Sequence, residues 1–171
     1  MRKSVQFLLL FLMCISASWT WASDAPERTV LFNMGDYDSQ YWRIPALVTA
    51  ADNSLVAVVD KRGSSLGDLP NTISIMSRRS TDNGKNWSEP VVVAQGGNGK
   101  TYGDPAVVLD KKTGNLICMF VGDQGLWNAT PYNRQGIYVS KSTDNGVSWS
   151  EPVAITDQAV SYTHLTLPTI R

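Results

Sequence analysis

An all-β fold is predicted by three observations: short runs of Val, Ile and Leu, clusters of Gly, Asn, Asp and Pro between them, and one twelve-residue segment that occurs twice. From Val30 onward no stretch keeps a helical period over ten or more positions. Nine strands follow from the runs and their punctuation. Thr29 to Asn33 opens the series, and Pro45 introduces Ala46 to Thr49. A turn at Asn53 leads to Ser54 to Val59, and Thr72 to Arg79 is next. Pro90 precedes Val91 to Ala94, and Pro105 precedes Ala106 to Leu109. Gly114-Asn115 turns the chain into Leu116 to Val121, and Gly136 to Ser142 and Val153 to Ile155 complete the set. Their spacing is that of hairpins.

The repeat organises these strands. Ser80 to Val91 reads STDNGKNWSEPV and Ser142 to Val153 reads STDNGVSWSEPV, an offset of 62 residues. A weaker echo at an offset near 60 joins Pro45-Ala46-Leu47-Val48 to Pro105-Ala106-Val107-Val108. Each unit therefore carries about four strands, the content of one propeller blade, and a blade cannot bury both faces of its sheet alone. Blades must stack into a ring. Two and a half units of about 60 residues cannot close a ring of roughly four to eight blades, so the sequence reads as part of a longer one.

Asp82-Asn83-Gly84 and Asp144-Asn145-Gly146 are strong hairpin signals, because Asn-Gly accepts the positive φ angles of a tight turn. Asp82 and Asp144 are expected to accept turn N–H groups, and Trp87 and Trp149 to bury a ring under each hairpin. One Asp and one Asn are too few hard ligands for a calcium loop, so no metal is assigned.

Composition excludes several classes of partner. Of 171 residues, 43% are hydrophobic, which is enough for a core, and Lys+Arg equals Asp+Glu at 15 each. A balanced chain has no net field to attract nucleic acid or an anionic membrane surface. Residues 1–22 have the form of a signal peptide: Arg2 and Lys3, an apolar run from Val5 to Ile15, then small residues up to Ala22. The run is too short for a membrane span of roughly 20 apolar residues. An exported protein, periplasmic or extracellular, is expected. Its removal leaves 13 basic against 15 acidic residues and Cys118 as the sole cysteine, which the apolar run Leu116 to Val121 marks as an inert core residue.

The pattern Ser-x-Asp-x-Gly-x-x-Trp, at Ser80 to Trp87 and Ser142 to Trp149, resembles the Asp-box repeat of sialidases and related propellers. Tyr41-Trp42-Arg43-Ile44-Pro45 is similar to the aromatic-Arg-Ile-Pro motif placed before the first Asp box in exo-sialidases, here 37 residues from Arg43 to Ser80. Asp60-Lys61-Arg62, Asp68 and Tyr102-Gly103-Asp104-Pro105 follow in the order of the bacterial enzymes. The resemblance covers about Val30 to Thr156. It implies a six-bladed sialidase-type β-propeller, of which residues 23–156 supply the first two to three blades, with residues 157–171 a non-native or out-of-frame tail. His164, the only histidine, lies in that tail and receives no role.

The resemblance also implies sialylated glycans as substrates, with no cofactor. Sialic acid bears a carboxylate on its anomeric carbon, and a planar, permanently charged guanidinium grips a carboxylate better than an ammonium does. Arg43 is expected as one member of the family's arginine triad, and Asp68 as the proton donor to the departing oxygen. A carboxyl donates at neutral pH only if its pKa is raised. Arg62 and Asp104 match positions that contact hydroxyl and amide substituents, and Trp127 is a candidate for the apolar wall around the sugar. Arg78 and Arg79 read as surface arginines covering apolar area.

Sialidases use a tyrosine nucleophile in place of a second carboxylate. That tyrosine, its glutamate and the other two arginines lie downstream of the second Asp box in the family, so no tyrosine of this sequence is nominated. The expected activity is exo-α-sialidase with retention of configuration, the chain alone being inactive. The alternative is a non-catalytic Asp-box propeller binding glycans or proteins.

Overall fold

The computed structural model describes residues 28–63, 65–130 and 132–160. The expected signal peptide and His164 lie outside the described residues. Eight strands form two four-stranded antiparallel sheets, each ordered as a simple meander. The first sheet holds β1 (Trp42–Thr49), β2 (Leu55–Lys61), β3 (Ser74–Ser80) and β4 (Val91–Ala94). The second holds β5 (Tyr102–Leu109), β6 (Leu116–Gly122), β7 (Gly136–Ser142) and β8 (Val153–Ala154), followed by a short helix, α1 (Thr156–Val160). Two such blades stacked face to face are part of a propeller.

The inner strands begin four residues earlier than expected, at Trp42 and Tyr102 rather than Ala46 and Ala106. Pro45 and Pro105 lack a ladder N–H, but each strand absorbs its proline in a bulge, between Arg43 and Ala46 in one and between Gly103 and Ala106 in the other. The residue before each proline takes the same unusual backbone, with φ of 54° at Ile44 and 56° at Asp104. A left-handed conformation is unfavourable for a β-branched residue, and the position before proline is restricted further. The bulge is thus a repeated, imposed feature of the inner rim.

The expected strand Thr29 to Asn33 is not formed; the segment is irregular. Side chains take its carbonyls instead. Arg78 donates to the Leu31 carbonyl, and the Trp42 indole N–H donates to the Asn33 carbonyl at 2.8 Å. Phe32 lies against Trp42 with ring centroids 4.6 Å apart, and the Arg78 guanidinium sits 5.5 Å from the Phe32 ring. Arg78 is therefore a clamp on this segment rather than a simple surface cover.

The core fills the space between the sheets. Val56, Val58 and Ile75 of the first face Leu116, Cys118 and Phe120 of the second. Each large apolar side chain so enclosed contributes about 1.5–3 kcal/mol. Burial pushes the Cys118 thiol up to about 12, which suits an inert filler. Tyr102 sets its ring edge-on to Phe120 and to Tyr138, with centroids at 5.4 and 5.1 Å.

Both Asp boxes form tight turns, with φ of 60° and 87° at Asn83 and Gly84 and of 60° and 86° at Asn145 and Gly146. The Ser80 hydroxyl donates to Asp82 Oδ1 at 2.8 Å and accepts the Gly84 N–H at 2.9 Å, while Asp82 Oδ1 accepts the Asn86 N–H at 2.8 Å. Ser142, Asp144, Gly146 and Ser148 repeat the pattern. The acids are engaged by their own turns, and no group of three or more His, Cys, Asp or Glu among the described residues is arranged to hold a metal.

The tryptophans differ from expectation, being only half-buried. Trp149 packs on the core and donates its indole N–H to Ser77 of the preceding sheet at 3.0 Å, whereas Trp87 donates to Gly84 of its own turn at 2.9 Å. Arg79 also ties the sheets together, donating from Nε to the Asn145 carbonyl at 3.0 Å.

Candidate active site

The loop between β2 and β3, the start of β1 and the bulge of β5 meet at one end of the two sheets. Asp68, carried by that loop, is the meeting point. Arg43 Nη1 lies 3.3 Å from Asp68 Oδ1, and Arg62 Nη1 donates to the same oxygen at 2.6 Å. Two guanidinium groups therefore share one carboxylate oxygen. Both also bind the Leu66 carbonyl, at 3.1 Å each, so the loop is folded around the cations.

The two arginines differ in setting. The Arg43 side chain is 42% exposed, while that of Arg62 is 1% exposed. Arg62 lies at the end of β2, where residues two apart share a face, and that geometry brings Asp60 beside it. Asp60 Oδ2 accepts Arg62 Nε at 3.1 Å and Nη2 at 2.8 Å. The contact of Arg62 with Asp104 is much looser, at 3.9 Å. Asp60 itself is the residue that sequence reasoning passed over. The signal was available in the Asp-x-Arg spacing on one strand face.

Asp104 reaches the site from the second sheet through the bulge, and its side chain is 56% exposed. Its backbone N–H donates to Asp60 Oδ1 at 3.1 Å. Trp127, 85% exposed, shares a cleft of about 120 Å³ with Asp68, Leu69, Asp104 and Gln135. Of the five residues singled out in the sequence, Asp68, Asp104 and Trp127 line this cleft, while Arg43 and Arg62 adjoin it through Asp68; Trp127 is not consumed by packing.

The electrostatics divide the acids. The hydrogen bond from Arg62, with further attraction from Arg43, holds the Asp68 carboxyl below the usual range. Burial pushes the Asp60 carboxyl up to about 6, although Arg62 pulls the other way. The expectation that Asp68 would be the acid of raised pKa thus meets the opposite arrangement: the exposed acid is held below its ordinary value and the buried Asp60 is the one pushed up. The pair Tyr37 and Glu89 has the composition of an activated nucleophile, with the hydroxyl donating at 2.8 Å. It sits against Arg78 near the outer strands, and the bond to Glu89 raises the Tyr37 pKa, which disfavours a phenolate.

Residues 44–168 match the family model described as a BNR repeat-like domain. The chain belongs to the BNR-repeat sialidase family. A sialidase of Bacteroides fragilis is 34% identical over 143 residues, spanning 72% of this chain and 26% of the relative. A sialidase of Micromonospora viridifaciens is 35% identical over 128 residues, spanning 68% of this chain and 20% of the relative. This sialidase-family chain thus spans about a quarter and a fifth of the length of these two curated relatives. Among solved structures, Hadza microbial sialidase Hz136 matches with a TM-score of 0.67 at 33% identity, over 73% of this chain and 28% of that one. The NanB sialidase of Streptococcus pneumoniae matches with a TM-score of 0.66 at 16% identity, over 74% and 38%, a likeness of fold.

Proposed function

We propose that this sialidase-family chain supplies the first arginine and the acid of a sialic acid pocket, in an exported exo-α-sialidase that hydrolyses terminal sialic acids from glycoconjugates with retention. The observation that carries this reading is the convergence of Arg43 and Arg62 on one oxygen of Asp68. Arg43 is the exposed cation of the two. A substrate carboxylate that engages Arg43 takes one cation from Asp68 and brings a negative charge near it, and both changes raise the Asp68 pKa toward that of a working acid. Asp68 then delivers its proton to the glycosidic oxygen as the bond to the anomeric carbon breaks. Asp104 and Arg62 face the sugar's polar substituents, and Trp127 offers an apolar ring to its C–H surface.

A tyrosine relayed by a glutamate is the nucleophile of this chemistry, since a carboxylate would be repelled by that of the substrate. The decisive experiment uses the full-length protein and a sialylated oligosaccharide, with release of sialic acid as the readout. Asp68→Asn is expected to lower kcat by about 10²–10⁴-fold while the substrate still binds. Arg43→Ala is expected to lower kcat/KM, chiefly through loss of substrate binding. Unchanged kcat in the Asp68 variant would remove the proton-donor role. The Arg62 hydrogen bond that holds the Asp68 carboxyl below its usual range favours a second reading, a pocket that binds sialylated glycans without cleaving them. Binding without release by the wild type would establish it.

A further inference from the structure

The chemistry above gives Asp60 no part, yet its side chain is fully enclosed and its two oxygens face two different sheets. Oδ2 holds Arg62 through Nε and Nη2, and Oδ1 accepts the N–H of Asp104, which belongs to β5 of the second sheet. Asp104 stands at φ 56° in the bulge of β5, and Asp60 holds its N–H there. The same carboxylate fixes the plane of the Arg62 guanidinium, which leaves Nη1 as the edge turned to Asp68.

We propose that Asp60 is the positioning residue of this site: its carboxylate joins Arg62 and the Asp104 backbone into one rigid unit across the junction of the two sheets, and loss of its charge releases both. The charged groups facing it are Arg62 on its own strand side, Asp104 from β5, Arg43 opposite it on β1, and Asp68 on the far side of the Arg62 guanidinium. Burial acts in the same direction, since it pushes the Asp60 carboxyl up to about 6 and brings neutralisation within reach of mildly acidic conditions. The consequence for ligand binding rests on the proposed sialic acid function; the hydrogen bonds do not.

The test is nuclear magnetic resonance of the full-length protein, wild type and Asp60→Asn, following the Arg62 Nε–H, the Asp104 amide and the Trp149 indole N–H. Loss of a charge-assisted bond of this kind corresponds to about tenfold faster hydrogen exchange or more. Asp60→Asn is expected to show that acceleration at Arg62 and Asp104, with Trp149 unchanged as the reporter of sheet packing. In the wild type the same two signals should change as the Asp60 carboxyl takes up its proton, which covers the case of a variant that does not fold. Persistence of the Arg62 and Asp104 signals in either experiment, or simultaneous loss of all three, would overturn the assignment. N-acetylneuraminic acid added to both proteins separates the two ideas. Weaker binding by Asp60→Asn extends positioning to the ligand. No binding by the full-length wild-type protein sinks the sugar reading and leaves the exchange result to decide the role of Asp60.

Discussion

The Trp149 indole N–H, on the second sheet, donates to the Ser77 hydroxyl on β3 of the first at 3.0 Å. It is a side-chain hydrogen bond between sheets, and Trp149 lies against the shared core. Trp87, at the matching place in the first Asp box, bonds only within its own turn.

Ser77→Ala is expected to destabilise the chain by about 1 kcal/mol, and Trp149→Phe by a similar amount. In a double-mutant cycle the two losses should not add, because each removes the same bond. Chemical denaturation followed by Trp fluorescence measures this, and full additivity would exclude the coupling.

Gly84 and Gly146 occupy equivalent turns at φ 87° and 86°, but their surroundings differ. A Cβ at Gly84 would lie 3.7 Å from Leu55, while one at Gly146 would lie 2.7 Å from Val56 across the sheet junction. Both alanine variants carry the left-handed backbone cost of about 1 kcal/mol, and Gly146→Ala adds overpacking of roughly 1–3 kcal/mol. Thermal unfolding should therefore rank Gly146→Ala well below Gly84→Ala.

Arg43 and Arg62 touch the same Asp68 oxygen but should respond very unequally to truncation. Arg43→Ala removes an exposed pair and is expected to change stability by less than about 1 kcal/mol. Arg62→Ala leaves Asp60 buried without its cation, a loss of about 3–5 kcal/mol. Equal midpoints in urea for the two variants would contradict the buried-pair description.

Asp82 has its carboxyl pulled down to about 2, first by the Asn86 backbone N–H and then by the Asn86 amide and the Ser80 hydroxyl. Its folded pKa lies below the ordinary 3.8, so its contribution is present above about pH 4 and fades as pH falls toward 2. Asp82→Asn should flatten that acid limb. Urea midpoints at pH 5, 3 and 2 give the comparison; an unaltered slope would show that the turn bonds do not persist in solution.

The blades were legible because Asn-Gly turns and β-branched runs act locally, and the Asp-box duplication announced the stacking. The start of each inner strand was not, since Pro45 and Pro105 read as breakers while the fold accommodates them in bulges. Thr29 to Asn33 misled for a related reason: its apolar pattern fits a strand, but Arg78 and Trp42 occupy its carbonyls. Arg43, Arg62, Asp68 and Asp104 were found through motif order and Trp127 as a candidate wall aromatic; Asp68, Asp104 and Trp127 line one cleft, and the two arginines stand behind Asp68. Asp60 stayed hidden because a sequence shows charge but not enclosure, and its importance comes from having no access to water.

The paired bulges at Ile44 and Asp104 carry a last implication. One mould has been cast twice, with a greasy side chain in the first copy and an acid in the second, and the backbone behind the surface is the same in both. What the rim displays can thus be exchanged without recutting what supports it, which is how a duplicated scaffold acquires new chemistry while its architecture stands still.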